Sequence, residues 1–320
     1  MSRAVFLVVL LFCLPARAFE AGLARLSTAD RVPFDTWVWY PTETAETPLA
    51  LGPFTLSAAR EAPPAAGRFP VVLLSHGSGG TPLSHRELAA ALARAGHVVV
   101  APVHVGDSAG RLDGRDSGRA YVDRPRQVVL AERAVEKSPL LAPHLDPARR
   151  LAVGYSAGGY TALVLAGAAP DFGRFRTHCA AHPEDRAACG IAGANVPVPA
   201  VPAEWFAREP RLSGLVVIDP LAVPFDRAGL ASVTQRLLLV RPEDDSFMPA
   251  GPNAEALAAA LPRPPERSTT AGRHFVFVDP CPPSLAAAEP LICSDPPGVD
   301  RARIHRDLEA AIVAFFAGAR

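Results

Sequence analysis

The sequence predicts an α/β fold with a mostly parallel central sheet and helices on both faces. Apolar runs of strand length alternate with helical segments of about 10–15 residues. Two runs, FPVVLLSHG (69–77) and HVVVAPVH (97–104), are continuously apolar, which is typical of strands buried on both faces. The chain has 320 residues, 49% of them hydrophobic, which is enough for a large core. We expect one domain over 19–320.

The expected elements follow in order from the N-terminus. FDTWVWYPT (34–42) alternates apolar and polar residues and suits an edge of the sheet, whereas 69–77 suits its centre. SHRELAAALARAG predicts a helix closed by Gly96. Beyond an irregular loop at 106–119 we expect helix RPRQVVLAERAVEK, strand RRLAVGYS, a helix after Ser156, strands LSGLVVIDP and QRLLLVRPEDD, helix GPNAEALAAALP, strand ERSTTAGRHF, and a last helix with Ile304, Leu308, Ile312 and Phe315 on one face.

Two stretches do not fit this alternation, namely 168–213 and the proline-rich 280–298. The first is long for a connection between a helix and a strand. It is either a cap over the carboxyl-terminal edge of the sheet or a solvated excursion, and the cysteines within it favour the cap.

The N-terminus has the organisation of a secretory signal peptide. One basic residue precedes an apolar stretch from Ala4 to Leu14, and small residues at Ala16 and Ala18 precede Phe19. This stretch is too short for a membrane anchor, which needs about 20 apolar residues. Lipid attachment at Cys13 would require a small residue at the preceding position, which is occupied by Phe12. We therefore expect residues 1–18 to be removed and the protein to be secreted or periplasmic, with no membrane span.

Four cysteines remain in the mature chain, and an even number in an exported protein implies two disulfides. Their spacing favours the local pairs Cys179–Cys189 and Cys281–Cys293 among three possible connectivities. Metal binding is the competing interpretation, but the sequence has no C-x-x-C or H-E-x-x-H spacing.

Charge excludes one class of partner. The chain carries 32 basic and 32 acidic residues, so it has no excess positive charge to neutralise phosphates. Nucleic acid is therefore not an expected partner.

The motif Gly154-Tyr155-Ser156-Ala157-Gly158 follows an apolar strand and precedes a helix. A G-x-S-x-G sequence in that setting is typical of a sharp turn that presents a nucleophilic serine. The flanking glycines could also serve only a tight turn. The strand and helix around them favour the nucleophile.

A serine hydroxyl needs a base to take its proton and a carboxylate to orient that base. His274 follows a strand and is the candidate base, since His178 and His182 fall in the irregular stretch and His305 on the polar side of the last helix. Two strands end in acids. Asp245 is the preferred acid because its strand precedes the helix before the histidine strand. Asp219 is the alternative, and Asp244 ranks below both.

Acyl transfer also needs donors for the developing oxyanion. SHGSGG (75–80) follows a central strand, and its glycines leave backbone amides free to point into a site. The amides of Ser78 and Ala157 are the candidates. The alternative is a flexible turn. A phosphate-binding loop is excluded because G-K-[ST] is missing.

The segments FPVVLLSHGSGG, GYSAGG and GRHFVFVDPC together resemble the α/β-hydrolase superfamily, more narrowly bacterial dienelactone-hydrolase-like proteins and platelet-activating-factor acetylhydrolases. The resemblance covers about 30–320 and is weakest at 168–213. SHGSGG is similar to the oxyanion loop of the acetylhydrolases. VVIDPLAVPF resembles their acid-bearing segment, which implies Asp219, whereas RPEDDSFMP resembles that of the bacterial relatives, which implies Asp245. Dienelactone hydrolases use a cysteine nucleophile where this chain has Ser156.

The sequence thus predicts an exported serine esterase that acts on a small-molecule or lipid ester and requires no metal or organic cofactor. Two alternatives stay open. One is a secreted binding protein that keeps the fold without the chemistry. The other is a triad enzyme that acts on other acyl bonds, such as a peptidase, an acyltransferase or a polyester hydrolase.

Overall fold

A computed structural model describes residues 18–113, 118–191 and 207–318. The expected signal peptide lies outside the described residues apart from Ala18. So does the middle of the expected cap, 192–206.

Ten strands form one sheet in the order β10-β9-β8-β7-β5-β6-β2-β1-β4-β3. The strands are β1 (Glu20–Thr28), β2 (Phe34–Thr42), β3 (Thr47–Leu51), β4 (Phe54–Arg60), β5 (Phe69–Ser75), β6 (Val98–Pro102), β7 (Leu145–Tyr155), β8 (Leu212–Ile218), β9 (Arg236–Pro242) and β10 (Glu266–Thr270).

The six strands from β10 to β6 run parallel to one another. Their carboxyl ends therefore meet at one edge, where residues far apart in sequence can converge. The other four form a mixed wing. β2 pairs antiparallel with β6 and with β1, β1 runs parallel to β4, and β3 and β4 form an antiparallel pair.

The expectation that 34–42 forms an edge strand is wrong. β2 lies between β1 and β6 and is mostly buried. The alternation in FDTWVWYPT was misleading because Thr36 points into the interior, where its hydroxyl is 2.6 Å from that of Thr28. A buried polar side chain with such a partner costs little.

Eight α-helices lie in the described residues. They are α1 (Arg86–Arg94), α2 (Arg119–Glu136), α3 (Ala157–Leu165), α4 (Arg174–Ala181), α5 (Ala256–Ala260), α6 (Pro283–Ala288), α7 (Pro290–Cys293) and α8 (Arg301–Gly318). α2 begins before the segment in which the sequence predicted it and holds Pro125 inside it.

Helices pack on both faces of the sheet, as predicted. α2, α3 and α5 share one apolar core with alternate residues of the central strands, such as Val71 and Leu73. α1 and α8 share the other core with the intervening residues, such as Val72 and Leu74. This arrangement explains why β5 is apolar at successive positions. No helix in the described part of the chain combines the length and apolarity needed to cross a membrane.

Candidate active site

Ser156 stands on a strained turn between β7 and α3. Its backbone has φ 54° and ψ −118°, a conformation that L-residues rarely adopt. A Cβ on Gly154 would lie 2.1 Å from the carbonyl oxygen of Gly158, and one on Gly158 would lie 1.8 Å from that of Ser75. The two glycines of the motif are therefore a steric requirement of the turn.

A second strained turn follows the neighbouring strand β8. Asp219 has φ 40°, and its amide donates to Val240 O on β9 at 2.7 Å. The two turns share hydrogen bonds. The Ser156 amide donates to Ile218 O at 2.9 Å, and the Leu221 amide donates to Ser156 O at 3.0 Å. These bonds fix the two side chains relative to each other.

His274 begins a short 3₁₀ turn, His274–Phe277, that follows β10. Its Nδ1 is 2.6 Å from Asp219 Oδ2, and its Nε2 is 3.1 Å from Ser156 Oγ. All three residues are at least 93% buried. An acceptor on the Nδ1 side leaves Nε2 without a proton in the neutral imidazole, so that Nε2 can accept from the serine hydroxyl.

The structure thus brings Ser156 and His274 together with Asp219, the alternative acid of the sequence analysis. The preference for Asp245 does not hold in the structure, because Asp245 is exposed and its Oδ2 accepts from the amide of Ala250 at 3.0 Å. Asp244 is also turned away and lies 3.3 Å from Arg273 Nε. Both acids are engaged in the local turn that follows β9.

Aromatic rings pack against the imidazole of His274. Phe247 stacks on His274 with centroids 4.8 Å apart and planes inclined by 25°. Tyr155 lies 4.9 Å away on the β7 side, and its hydroxyl donates to His274 O at 3.0 Å. Sequence reasoning missed both roles. The segment RPEDDSFMP, expected to supply the acid, supplies this phenyl ring instead.

The loop after β5 faces the same place. Ser78, Ser156 and Ala157 line one cavity of about 20 Å³, together with Asp107, Ala120, Tyr121, Ala187 and Leu221. That volume is about the space one or two water molecules need. The two residues expected to donate to an oxyanion therefore border the cavity at the serine.

Two buried histidines, one at the start of this loop and one after β6, have lowered pKa values. Burial lowers the pKa of His76 and of His104 well below the usual value, and the charge of Arg124 acts in the same direction. The Ser75 hydroxyl lies 2.8 Å from His104 Nε2, and His104 Nδ1 lies 3.0 Å from Gln127 Oε1. The imidazole of His104 therefore accepts at one nitrogen and donates from the other.

The described part of the expected cap packs beside His274. The amide of Ala187 donates to Phe247 O at 3.2 Å, and Asp185 accepts from Asn253 Nδ2 at 2.7 Å. The disulfides are paired as predicted, Cys179 with Cys189 in the cap and Cys281 with Cys293 after His274. Each disulfide closes a short loop beside the site.

His305 does not lie on a polar face, in contrast to the sequence expectation. It is 3% exposed, with Nε2 2.8 Å from Val276 O and Nδ1 3.2 Å from Asp279 Oδ1. Burial lowers its pKa, but the hydrogen bond and charge of Asp279 outweigh that effect, and the pKa is raised. Candidate ligand atoms of His305, Glu87 and Glu309 lie within 4.8 Å of one another.

No protein-family model matches the sequence, and a comparison with curated proteins finds no match. Solved structures do match. A ferulic acid esterase from Streptomyces cinnamoneus superposes with a TM-score of 0.60 at 17% identity, over 95% of this chain and 91% of that one. A dienelactone hydrolase from Anabaena variabilis superposes with a TM-score of 0.51 at 15% identity, over 94% of this chain and 99% of that one. With its parallel strands and its serine turn between β7 and α3, the chain has the α/β-hydrolase fold.

Proposed function

We propose that the protein is a serine hydrolase that cleaves carboxylic esters through an acyl-enzyme. The observation that carries the proposal is the buried hydrogen-bond chain from Ser156 through His274 to Asp219. The named activities of the two structural neighbours, esterase and dienelactone hydrolase, agree with a hydrolytic role.

In the first half of the reaction Ser156 Oγ attacks the ester carbonyl carbon, and its proton passes to His274 Nε2 over the present 3.1 Å. The imidazole becomes an imidazolium. Asp219 Oδ2, 2.6 Å from Nδ1, stabilises that positive charge and holds the ring in place. The imidazolium then protonates the departing alkoxide, and the acyl group stays on the serine.

In the second half water takes the place of the alcohol. His274 accepts a proton from the water, which attacks the acyl carbon, and the proton returns to Ser156 as the acid leaves. Both tetrahedral intermediates carry a negative oxygen. We assign the amides of Ser78 and Ala157 as the donors to that oxygen, because both residues line the cavity at Ser156.

We further propose that the enzyme works outside the cytoplasm on a small-molecule or lipid ester. Two disulfides are typical of an oxidising compartment, and the N-terminal apolar stretch is typical of an export signal.

A fluorophosphonate probe tests the proposal directly. We expect the protein to be labelled once per chain, with the label mapped to Ser156 by peptide mass spectrometry. Ser156→Ala should remain folded and unlabelled. A folded wild-type protein that resists the probe would end the case for a serine hydrolase.

Turnover separates the remaining alternatives. A binding protein without chemistry would not hydrolyse p-nitrophenyl acetate beyond the rate of Ser156→Ala. An esterase should release p-nitrophenol in a burst followed by a steady phase if deacylation limits the rate. Parallel assays with a peptide anilide and with a series of acyl chain lengths would distinguish a peptidase and would measure the length of acyl group the site accepts.

A further inference from the structure

A buried ion pair lies beneath the loop at 76–79. Arg124 Nη1 is 2.7 Å from Asp107 Oδ2, and the two side chains are 1% and 3% exposed. Burying a charged pair costs free energy that its mutual attraction offsets only when further hydrogen bonds satisfy both groups. The contacts of the pair therefore indicate what it holds in place.

The carboxylate of Asp107 contacts the loop itself. Its Oδ1 accepts from Ser78 Oγ at 2.5 Å and from the Gly79 amide at 3.3 Å. Ser78 and Gly79 are consecutive, so one carboxylate oxygen holds both the Ser78 side chain and the peptide that follows it. Ser78 is the residue whose amide we assign to the oxyanion. Asp107 also lines the cavity at Ser156.

The guanidinium of Arg124 joins this loop to the helix of the nucleophile. Its Nη2 donates to His76 O and, at 3.3 Å, to Ser75 Oγ, at the start of the loop. Its Nε donates to Thr161 Oγ1 on α3 at 3.2 Å, and that hydroxyl donates to Ala157 O at 3.0 Å. The pair thus contacts both backbone segments that carry the two assigned oxyanion donors.

We propose that Asp107, held by Arg124, is a positioning residue that sets the Ser78 amide relative to the Ala157 amide for binding of the oxyanion. The proposal rests on the proposed esterase function. Asp107 transfers no proton and touches no reacting atom. It acts by keeping the 76–79 loop in the one conformation in which both amides face the same point.

The chain offers a matched control on the same helix. Glu132, near the other end of α2, pairs with Arg150, and these side chains are 2% and 1% exposed. The other side-chain hydrogen bonds of Arg150 go to Glu136, Asp146 O and Arg149 O, and Glu132 also accepts from Arg211 at 2.9 Å. Glu132→Gln therefore disrupts an equally buried pair whose contacts lie away from the 76–79 loop.

The test compares Asp107→Ala, Asp107→Asn and Glu132→Gln at a temperature where circular dichroism shows each to be folded. We expect kcat for an activated ester to fall about 100-fold in Asp107→Ala, with KM changed less than about threefold, because one oxyanion donor is misplaced. We expect kcat to fall less in Asp107→Asn, since the amide oxygen of asparagine can still accept from Ser78. Glu132→Gln should keep kcat within about twofold even if its melting temperature drops.

A thionoester substrate supplies a readout that a general loss of structure would not change. Sulfur is a weak hydrogen-bond acceptor, so turnover of the thionoester depends less on the amide donors. We expect Asp107→Ala to lose much more ester than thionoester activity. If Asp107→Ala does not fold, Ser78→Ala removes the hydroxyl contact alone, and we expect it to lose roughly five- to tenfold in kcat with the same preference.

Equal losses for ester and thionoester, a kcat loss in Glu132→Gln as large as in Asp107→Ala, or an unchanged kcat in Asp107→Ala would each overturn the proposal. These outcomes are distinct from failure of the esterase function itself. That failure would appear in the wild-type protein as absence of fluorophosphonate labelling and of turnover.

Discussion

The carboxyl ends of β8 and β9 both carry aspartates, and they differ in where the chain goes next. After β8 the backbone turns sharply at Asp219, whose φ of 40° directs the carboxylate towards His274. After β9 the backbone continues beside the end of β10. The Glu243 amide donates to Thr270 O at 2.8 Å, and the Asp244 amide donates to Gly272 O at 3.1 Å. The turn comes later and leaves Asp245 exposed.

An acid at the end of a strand is therefore not enough to predict the partner of the histidine. What decides is the backbone conformation of the turn, which sets the direction of the side chain. The β9 end contributes through Phe247, whose ring packs on the imidazole. One strand end thus provides charge and the other provides an apolar wall.

The largest effect on the β8 end is expected for Asp219→Asn. We expect kcat/KM to fall about 10⁴-fold, because the amide favours the wrong imidazole tautomer while the geometry is kept. Ester hydrolysis and the fluorophosphonate labelling rate measure the loss. A fall in kcat/KM of less than tenfold would indicate that an acid at the β9 end, and not Asp219, serves as the partner of His274.

Phe247→Leu tests the apolar wall. Loss of a ring stacked on the imidazole removes about 0.5–1.5 kcal/mol of contact energy, which corresponds to a two- to tenfold fall in kcat/KM if the ring serves to hold His274. Leucine keeps most of the volume, so the fold should persist. An unchanged rate would show that the β9 end plays no part in positioning.

A third carboxylate shows what happens to a half-buried acid without a well-placed partner. Burial and the charge of Asp279 raise the pKa of Glu309 to about 7, with Glu87 acting in the same direction and His305 and Arg94 opposing. The folded pKa lies above the unfolded value near 4.5, so the stabilising contribution is complete below about pH 4.5 and is lost as pH rises through 7.

Glu309→Gln should remove that loss. We expect the difference in unfolding free energy between the variant and the wild type to be about 1 kcal/mol more favourable to the variant at pH 8 than at pH 4.5. This figure allows for the exposed part of the side chain. Urea unfolding at the two pH values measures the difference. Asp307→Asn on the same helix, where the side chain is 73% exposed, is the control and should show no such gain.

The smallest effect is expected at the β9 end itself. Asp245→Asn keeps an oxygen that can accept from the Ala250 amide, so we expect kcat/KM within about twofold of wild type and stability within about 0.5 kcal/mol. A loss comparable with that of Asp219→Asn would contradict the geometry described for the two strand ends.

Patterns set by local sterics and burial were accessible from the sequence. Continuous apolar runs predicted the parallel strands, and small residues around Ser156 predicted the turn that the Gly154 and Gly158 contacts require. His274 could be selected because it follows a strand at the correct edge. Cysteine spacing favoured both disulfide pairs.

Features set by long-range packing were not accessible. β1, β3 and β4 went unpredicted because a wing of short or half-exposed strands has no continuous apolar run. The choice between Asp219 and Asp245 depended on turn conformation, which neighbouring strands impose. The burial of Arg124 was also not accessible, because it follows from the pairing of Arg124 with Asp107 across 17 residues.

The interlocked turns at Ser156 and Asp219 have a consequence for engineering. The Ser156 amide donates to Ile218 O, and the Leu221 amide donates to Ser156 O, so neither turn can shift without the other. Residues 154–159 and 218–221 should therefore be transplanted, or left untouched, as one block. Substitution libraries meant to alter substrate preference should instead target cavity-lining residues outside these turns, at 120–121 and around 187.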